Sequence, residues 1–280
     1  MRNALHLSND HYRDEKTAKG MTLNNRDITP LFAWADVPAA LGLLTRLPIR
    51  VDTEIAMARG SRAAWAYPIV GLLIGLVAAS IAVAAQALGF SAAMVATIAV
   101  AAQVIVTGAM HEDGLADTAD GLWGGWDVAR RLEIMKDSHI GAYGVIALII
   151  GFAMRWAAIA TLVSSGGTFA SLIAAAMISR AAMVVMMHAL PNARDGGLSS
   201  SVGRPQRQTA LVAVGIAALG ALMVVGFGAM TMLIIAAIAA GICAIIATAK
   251  IKGQTGDILG ATQQVTEITV LMAAVSLFAG

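Results

Sequence analysis

The chain of 280 residues is 58% hydrophobic and 13% charged, with a mean hydropathy of +0.76, whereas soluble domains carry about 25% charged residues. That composition excludes a soluble globular protein. A single Cys excludes an internal disulfide and any Cys-based metal site, while a net charge of +2 says less than where the charges stand.

The apolarity comes from Ala and the aliphatic residues, with 28 Gly, and small residues at this density suit close helix–helix approach in lipid. The predicted fold class is therefore all-α: a polytopic transmembrane helical bundle of about seven spans plus one short interfacial or re-entrant helix. Residues 1–30 are polar, mixed in charge and lack the apolar core of a signal peptide. They read as a disordered or loosely attached cytoplasmic extension in which His6 and His11 are solvated. Residues 31–280 read as one integral-membrane catalytic domain.

In chain order, the segment 33–47 is short and carries Asp36, Pro38 and Arg46, which suits an interfacial or re-entrant helix. At about 20 apolar residues per crossing, spans are expected near 65–88, 91–110, 141–163, 169–190, 208–226, 229–249 and 259–279. The connections alternate. Those near Gly89–Phe90, Ser164–Thr168 and Phe227–Gly228 are short and uncharged; 49–64, 111–140, 191–207 and 250–258 are charged. All of the 19 Lys and Arg lie outside the spans except Arg155 and Arg180. The positive-inside rule then puts every charged loop on the cytoplasmic face, so the chemistry gathers there.

The stretch HEDGLADTADGLWGGWD, 111–127, holds most of that chemistry. Asp113, Asp117 and Asp120 follow at i, i+4 and i+7, so on a helix they share a side. Like charges at that spacing repel, and a divalent cation relieves the repulsion. Oxygen ligands select a hard ion, Mg²⁺ or alternatively Mn²⁺. Gly114 and Gly121 would clear the same surface for a bulky ligand. His111 and Glu112 read either as partners standing behind the ligands or as a helix-end feature; His139 reads as interfacial and His188 as structural. The segment NARDGGLSSSVGRP, 192–205, combines Arg194 and Arg204 with paired glycines and a serine run, and reads either as a phosphate or pyrophosphate cradle or as an ordinary flexible loop. Asp257 lies between two glycines in GQTGDILG, 253–260. Glu267, deeper in the last span, is either a functional acid or the structural partner of Arg155 or Arg180.

HEDGLADTADGLWGG, then RRLEIMKDSHIGAYGV, then GQTGDILGATQQVTE together resemble cobalamin synthase, the adenosylcobinamide-GDP ribazoletransferase family, over about residues 33–280. NARDGGLSSSVG only approximates that family's glycine-rich stretch. The resemblance implies a membrane enzyme that joins adenosylcobinamide-GDP to α-ribazole or its 5′-phosphate and releases GMP, with magnesium. It places His111, Asp113, Gly114, Asp117, Asp120 and Gly121 in the acidic motif, and Thr255, Gly256, Asp257 and Gly260 in the later one. It also implies a bacterial inner-membrane location, with two polar substrates, the bilayer and no nucleic acid as partners. On this reading Asp113, Asp117 and Asp120 hold the metal, Asp120 or Asp257 is the general base, and Arg194 or Arg204 steadies the departing GMP.

Two other classes make distinct predictions. A CDP-alcohol phosphotransferase requires Arg where this chain follows Ala116 with Asp117, and its downstream acid spacing is absent. A cation transporter would pair carboxylates near mid-membrane, where this sequence offers Glu267 alone.

Overall fold

The apolar stretches fold as helices because lipid cannot satisfy a free backbone N–H or C=O. The structure, a computed structural model, describes residues 30–279; the proposed extension, His6 and His11 lie outside them. Twelve α-helices follow in order: α1 Asp36–Leu44, α2 Thr53–Arg59, α3 Tyr67–Ala87, α4 Ala92–Thr107, α5 Met110–Gly124, α6 Val128–Ile134, α7 Ala142–Ser165, α8 Thr168–Ala189, α9 Leu198–Val202, α10 Arg207–Val225, α11 Ala229–Ile251 and α12 Gly256–Phe278. Short 3₁₀ segments, Gly60–Ala66 and Gly226–Gly228, lead into α3 and join α10 to α11. No strand occurs among the described residues. The fold is all-α, as the composition required.

Five helical runs are long and apolar enough to cross a bilayer, or six if the bent pair α4–α5 counts as one. The predicted spans 208–226 and 229–249 correspond to one 45-residue run, Arg207–Ile251. That run doubles back. Gly226 takes a φ of +71°, and a methyl group on Gly228 would stand 2.9 Å from Leu277 at the far end of α12. Meanwhile α10 begins against Gly60–Ala66, and Lys250 near the end of α11 accepts from Arg131 of the charged face. The predicted 91–110 span is also shorter than expected. Its helix stops at Thr107, and two successive left-handed residues, Gly108 (φ +65°) and Ala109 (φ +58°), turn the chain by 89° into α5. With four carboxylates in 15 residues, α5 is not a crossing segment.

The middle of the bundle is α8, which is buried nearly all round and packs on α3, α10, α11 and α12. A helix apolar on every face belongs in such a core. Its approach to α3 depends on glycine: a Cβ at Gly75 would lie 2.7 Å from Ile173 Cα. Outward-facing Ile, Leu, Met and Phe on α7, α10 and α11 remain exposed, as lipid-facing side chains are.

At the charged face, α1 is clamped to the end of α2 and to the 3₁₀ segment that follows it. Arg59 donates Nε and Nη2 to the two oxygens of Asp36, each at 2.6 Å, and Trp65 Nε1 donates to the same carboxylate at 2.7 Å. Burial works to raise the Asp36 carboxyl, but these donors and the Ala33 N–H hold it below its ordinary range.

Candidate functional site

The acidic helix α5 crosses the first turns of α12 and the start of α7. At its beginning, Glu112 accepts from Arg155 at 3.0 Å and from Gln264 at 3.2 Å, which roots the helix in the bundle. Deeper still, Arg180 is paired with Glu267, and Gln263 donates to the same carboxylate. Each intramembrane arginine thus has its own acid, as a buried charge requires. Glu267 is structural.

The three motif aspartates do not act alike. Asp113 is exposed, Asp117 is half-buried and Asp120 is buried. The Asp120 carboxylate accepts the backbone N–H of Gly141 at 2.7 Å and that of Gly144 at 2.9 Å. It caps the amino end of α7, where negative charge is favoured. Asp120, expected as metal ligand or general base, thus has each of its oxygens accepting one backbone N–H. Among the described residues no group of three or more His, Cys, Asp or Glu side chains is arranged to hold a metal alone.

Asp257 comes across from α12 to the acids of α5. Burial, and then the like charges of Asp113, Asp257 and Asp120, raise the Asp117 carboxyl to about 7, against the pull of Arg194. Arg194 donates Nη2 to Asp257 Oδ2 at 3.2 Å. That pairing depends on two loops being tied together: Gln254 N donates to Pro191 O at 2.8 Å, Ala193 N to Gln254 O at 2.9 Å, and Ser199 Oγ to Gln254 Oε1 at 2.7 Å. Arg194, Asp113, Asp257 and Gly256 line a cavity of about 210 Å³ that also reaches His111. His111 is fully buried, and neither ring nitrogen has a partner.

The other residues expected at the site have the following surroundings. Arg204 faces away from the acids, donating to the His188 and Ala189 carbonyls at 2.7 and 3.2 Å, and so closes the end of α8. Thr255 caps α12 by accepting from Ile258 N and donates to Asp257 at 3.1 Å; its hydroxyl is spent on structure. Gly114 admits a helix, not a ligand: a Cβ there would meet Asp257 O at 2.9 Å and Gly260 Cα at 3.1 Å. At Gly121 the neighbours are Met135 and the Arg131 carbonyl. Gly256 does retain space, with Leu198 4.0 Å from where its Cβ would be. His188 donates Nδ1–H to Pro205 O, 3.0 Å away, and His139 pairs with Asp137 at the surface; neither lines the cavity.

Sequence reasoning missed Gly141 and Gly144 as the seat of Asp120. It also missed Leu43, Leu44, Tyr67, Met183 and Met187 as cavity wall. Arg155 carried a signal, being ionisable inside a span; the wall residues are indistinguishable in sequence from any core.

The family model of cobalamin-5-phosphate synthase matches residues 36–275. The chain belongs to the cobalamin-5-phosphate synthase family. Among relatives of this cobalamin-5-phosphate synthase family member, the adenosylcobinamide-GDP ribazoletransferase of Bradyrhizobium diazoefficiens is 41% identical over 247 residues, 88% of this chain and 95% of the relative. Those of Mesorhizobium japonicum and Rhizobium meliloti are 39% identical over 254 residues and 44% over 251, covering 91% and 86% of this chain and 98% and 95% of theirs. No solved structure matches. The matched range contains α1, the acidic helix, the Arg194 loop and the Asp257 turn, and so all of the site described.

Proposed function

We propose that the chain joins adenosylcobinamide-GDP to α-ribazole or its 5′-phosphate, releasing GMP, at the cytoplasmic face of a bacterial inner membrane. The observation that carries this reading, beside family membership, is the convergence of Asp113, Asp257 and Arg194 at one cavity, with Asp117 beside them and within reach of their charges. The charged connections all lie on that side, which the positive-inside rule makes cytoplasmic.

A ribose hydroxyl of the acceptor attacks the phosphorus on the cobinamide side of the pyrophosphate. A P–O bond to the ribose forms, the P–O bond to GMP breaks, and the hydroxyl proton passes to a carboxylate. Phosphoryl transfer of this kind relies on positioning and charge neutralisation more than on covalent help. Asp257 is the base that remains once Asp120 is committed to α7, and it lines the cavity with one oxygen steadied by Arg194 and Thr255. Arg194 supplies the guanidinium for a phosphate oxygen, a charge-assisted bond that strengthens as charge moves to GMP.

The acids fit magnesium in one specific way. Two carboxylates plus substrate phosphates suffice for this ion, which keeps several waters, and Asp113 and Asp117, one helical turn apart, would hold it. The like charge that raises Asp117 is what a cation there would neutralise. When bound, the metal would offset negative charge on the pyrophosphate.

The test is GMP release by detergent-purified protein given adenosylcobinamide-GDP, α-ribazole and Mg²⁺, with Asp117→Asn and Asp257→Asn beside wild type. Magnesium-dependent turnover that falls at least 100-fold in both variants is expected. Folded wild-type protein that releases no GMP would sink the transferase reading. Turnover indifferent to chelation would remove the metal.

A further inference from the structure

The cavity has two chemical ends. Asp113, Arg194 and Asp257, partly open to solvent, form its rim, whereas Leu44, Tyr67, Met110, Met183, Met187 and Leu259 form its wall, all but Met110 nearly inaccessible. Size limits the occupant of the walled end. An apolar cavity of about 150 Å³ accepts a benzene ring, and pockets enclosing whole drug-sized ligands begin at about 300 Å³. The whole cavity, rim included, measures about 210 Å³, so its walled end takes at most a fused bicyclic aromatic ring. It is too small for a corrin macrocycle or a nucleoside diphosphate.

Two features of the wall favour an aromatic guest. Three methionines offer polarisable sulfur, which packs favourably against aromatic rings and adapts to their outline. His111 lines the chamber with both ring nitrogens lacking any partner, at 0% exposure. A buried polar group left so is costly unless a ligand satisfies it.

Resting on the transferase reading above, we propose that this chamber seats the benzimidazole base of the α-ribazole acceptor. The single unsubstituted ring nitrogen of the base meets His111, the ribose lies at the rim beside Asp257, and the corrinoid remains outside. The arrangement makes the chamber a selector of base. A purine would bring further ring nitrogens and exocyclic groups to a wall whose polar side chains are His111 and Tyr67, and unpaired buried polar atoms weaken binding strongly.

The experiment couples a change in the wall to a change in the acceptor. Met187→Trp fills the chamber from α8. Leu198→Trp, at a half-exposed position on α9 that also lines it, fills it without placing a new ring inside the bundle. Steady-state kinetics are measured with α-ribazole and with methyl α-riboside, which keeps the ribose and replaces the base by a methyl group. Both variants are expected to raise KM for α-ribazole at least tenfold and leave KM for adenosylcobinamide-GDP within twofold. With methyl α-riboside, wild type should lose at least 100-fold in kcat/KM, and the variants should lose nothing further. This non-additivity is the signature of a direct contact. If Leu198→Trp instead raises KM for adenosylcobinamide-GDP, or slows both acceptors equally, the base assignment is overturned while the transferase reading stands. Absence of wild-type turnover with α-ribazole removes both.

Discussion

Asp120 is bound to Gly144 as closely as side chain and backbone allow: the carboxylate accepts the Gly144 N–H at 2.9 Å, and any Cβ on that glycine would collide with Asp120 Oδ2. The third acid of the motif is therefore a joint between α5 and α7. It holds the helix that carries Asp113 and Asp117 at a fixed angle to the bundle.

A joint and a ligand respond differently to mutation. Asp120→Asn keeps the shape but leaves one buried N–H facing an amide group, a cost of about 1–3 kcal/mol for an unsatisfied buried group. Its Tm in detergent should fall, and kcat should fall with it, while the Mg²⁺ concentration giving half-maximal activity stays within twofold of wild type. Gly144→Ala should reproduce the same pattern by displacing the carboxylate. A shift in magnesium requirement of tenfold or more in Asp120→Asn would return Asp120 to the metal.

The two arginines of the middle loop make a second contrast. Arg194 reaches Asp257 and the cavity, whereas Arg204 donates to the last carbonyls of α8. Arg194→Ala is expected to lower kcat/KM at least 100-fold with little change in Tm. Arg204→Ala loses an exposed helix-end interaction of about 0.3–1 kcal/mol and should leave kcat/KM within threefold. Equal kinetic losses in the two variants would mean that the loop acts as a whole and that the difference in geometry is immaterial.

How far these roles could be read in the sequence follows from their physics. The helices were legible because hydropathy at bilayer length is a one-dimensional signal, and Arg155, Arg180 and Glu267 stood out because charge inside a span demands a partner. The spacing of Asp113 and Asp117 gave a shared helical face. What spacing could not give was the environment of each acid. Asp120 lies on the same face, yet it is consumed by two backbone groups 21 and 24 residues away, a long-range contact without a periodic trace. The glycines misled for a similar reason: Gly114 reads equally as room for a ligand or for a helix, and only the position of Gly260 decides. The bend at Gly108–Ala109 was hidden because Ala109 adopts a left-handed conformation that its residue type gives no reason to expect.

The clamp between α1 and α2 should control stability without touching chemistry. Asp36 is fully buried and meets Arg59 through two bonds of 2.6 Å. Breaking a buried pair by removing one partner costs about 3–5 kcal/mol, because the remaining charge stays buried. Asp36→Asn should therefore lower Tm markedly, with KM for both substrates unchanged in the fraction that remains folded. The double variant Asp36→Leu, Arg59→Met, which removes both charges, should recover much of the loss. A double variant no more stable than Asp36→Asn would show that the ion pair is not the source of the effect.

The last expectation concerns pH. The Asp117 carboxyl is raised from 3.8 to about 7 by burial and by its acidic neighbours. A raised carboxyl holds its proton through the range where an ordinary aspartate is ionised, so below about pH 7 the protonated form prevails in protein without metal. Magnesium needs the ionised form, and its binding must displace that proton. The magnesium concentration for half-maximal activity should hence rise as pH falls from 8 to 6, approaching tenfold per unit at the acid end, as one competing proton requires. High magnesium should conversely carry activity to lower pH by stabilising the carboxylate. Asp117→Asn, assayed for its residual activity or for metal binding by calorimetry, should lose this slope, whereas Asp120→Asn should keep it. A magnesium requirement flat between pH 8 and 6 in wild type would place the metal away from Asp117 and leave that carboxylate as a proton carrier.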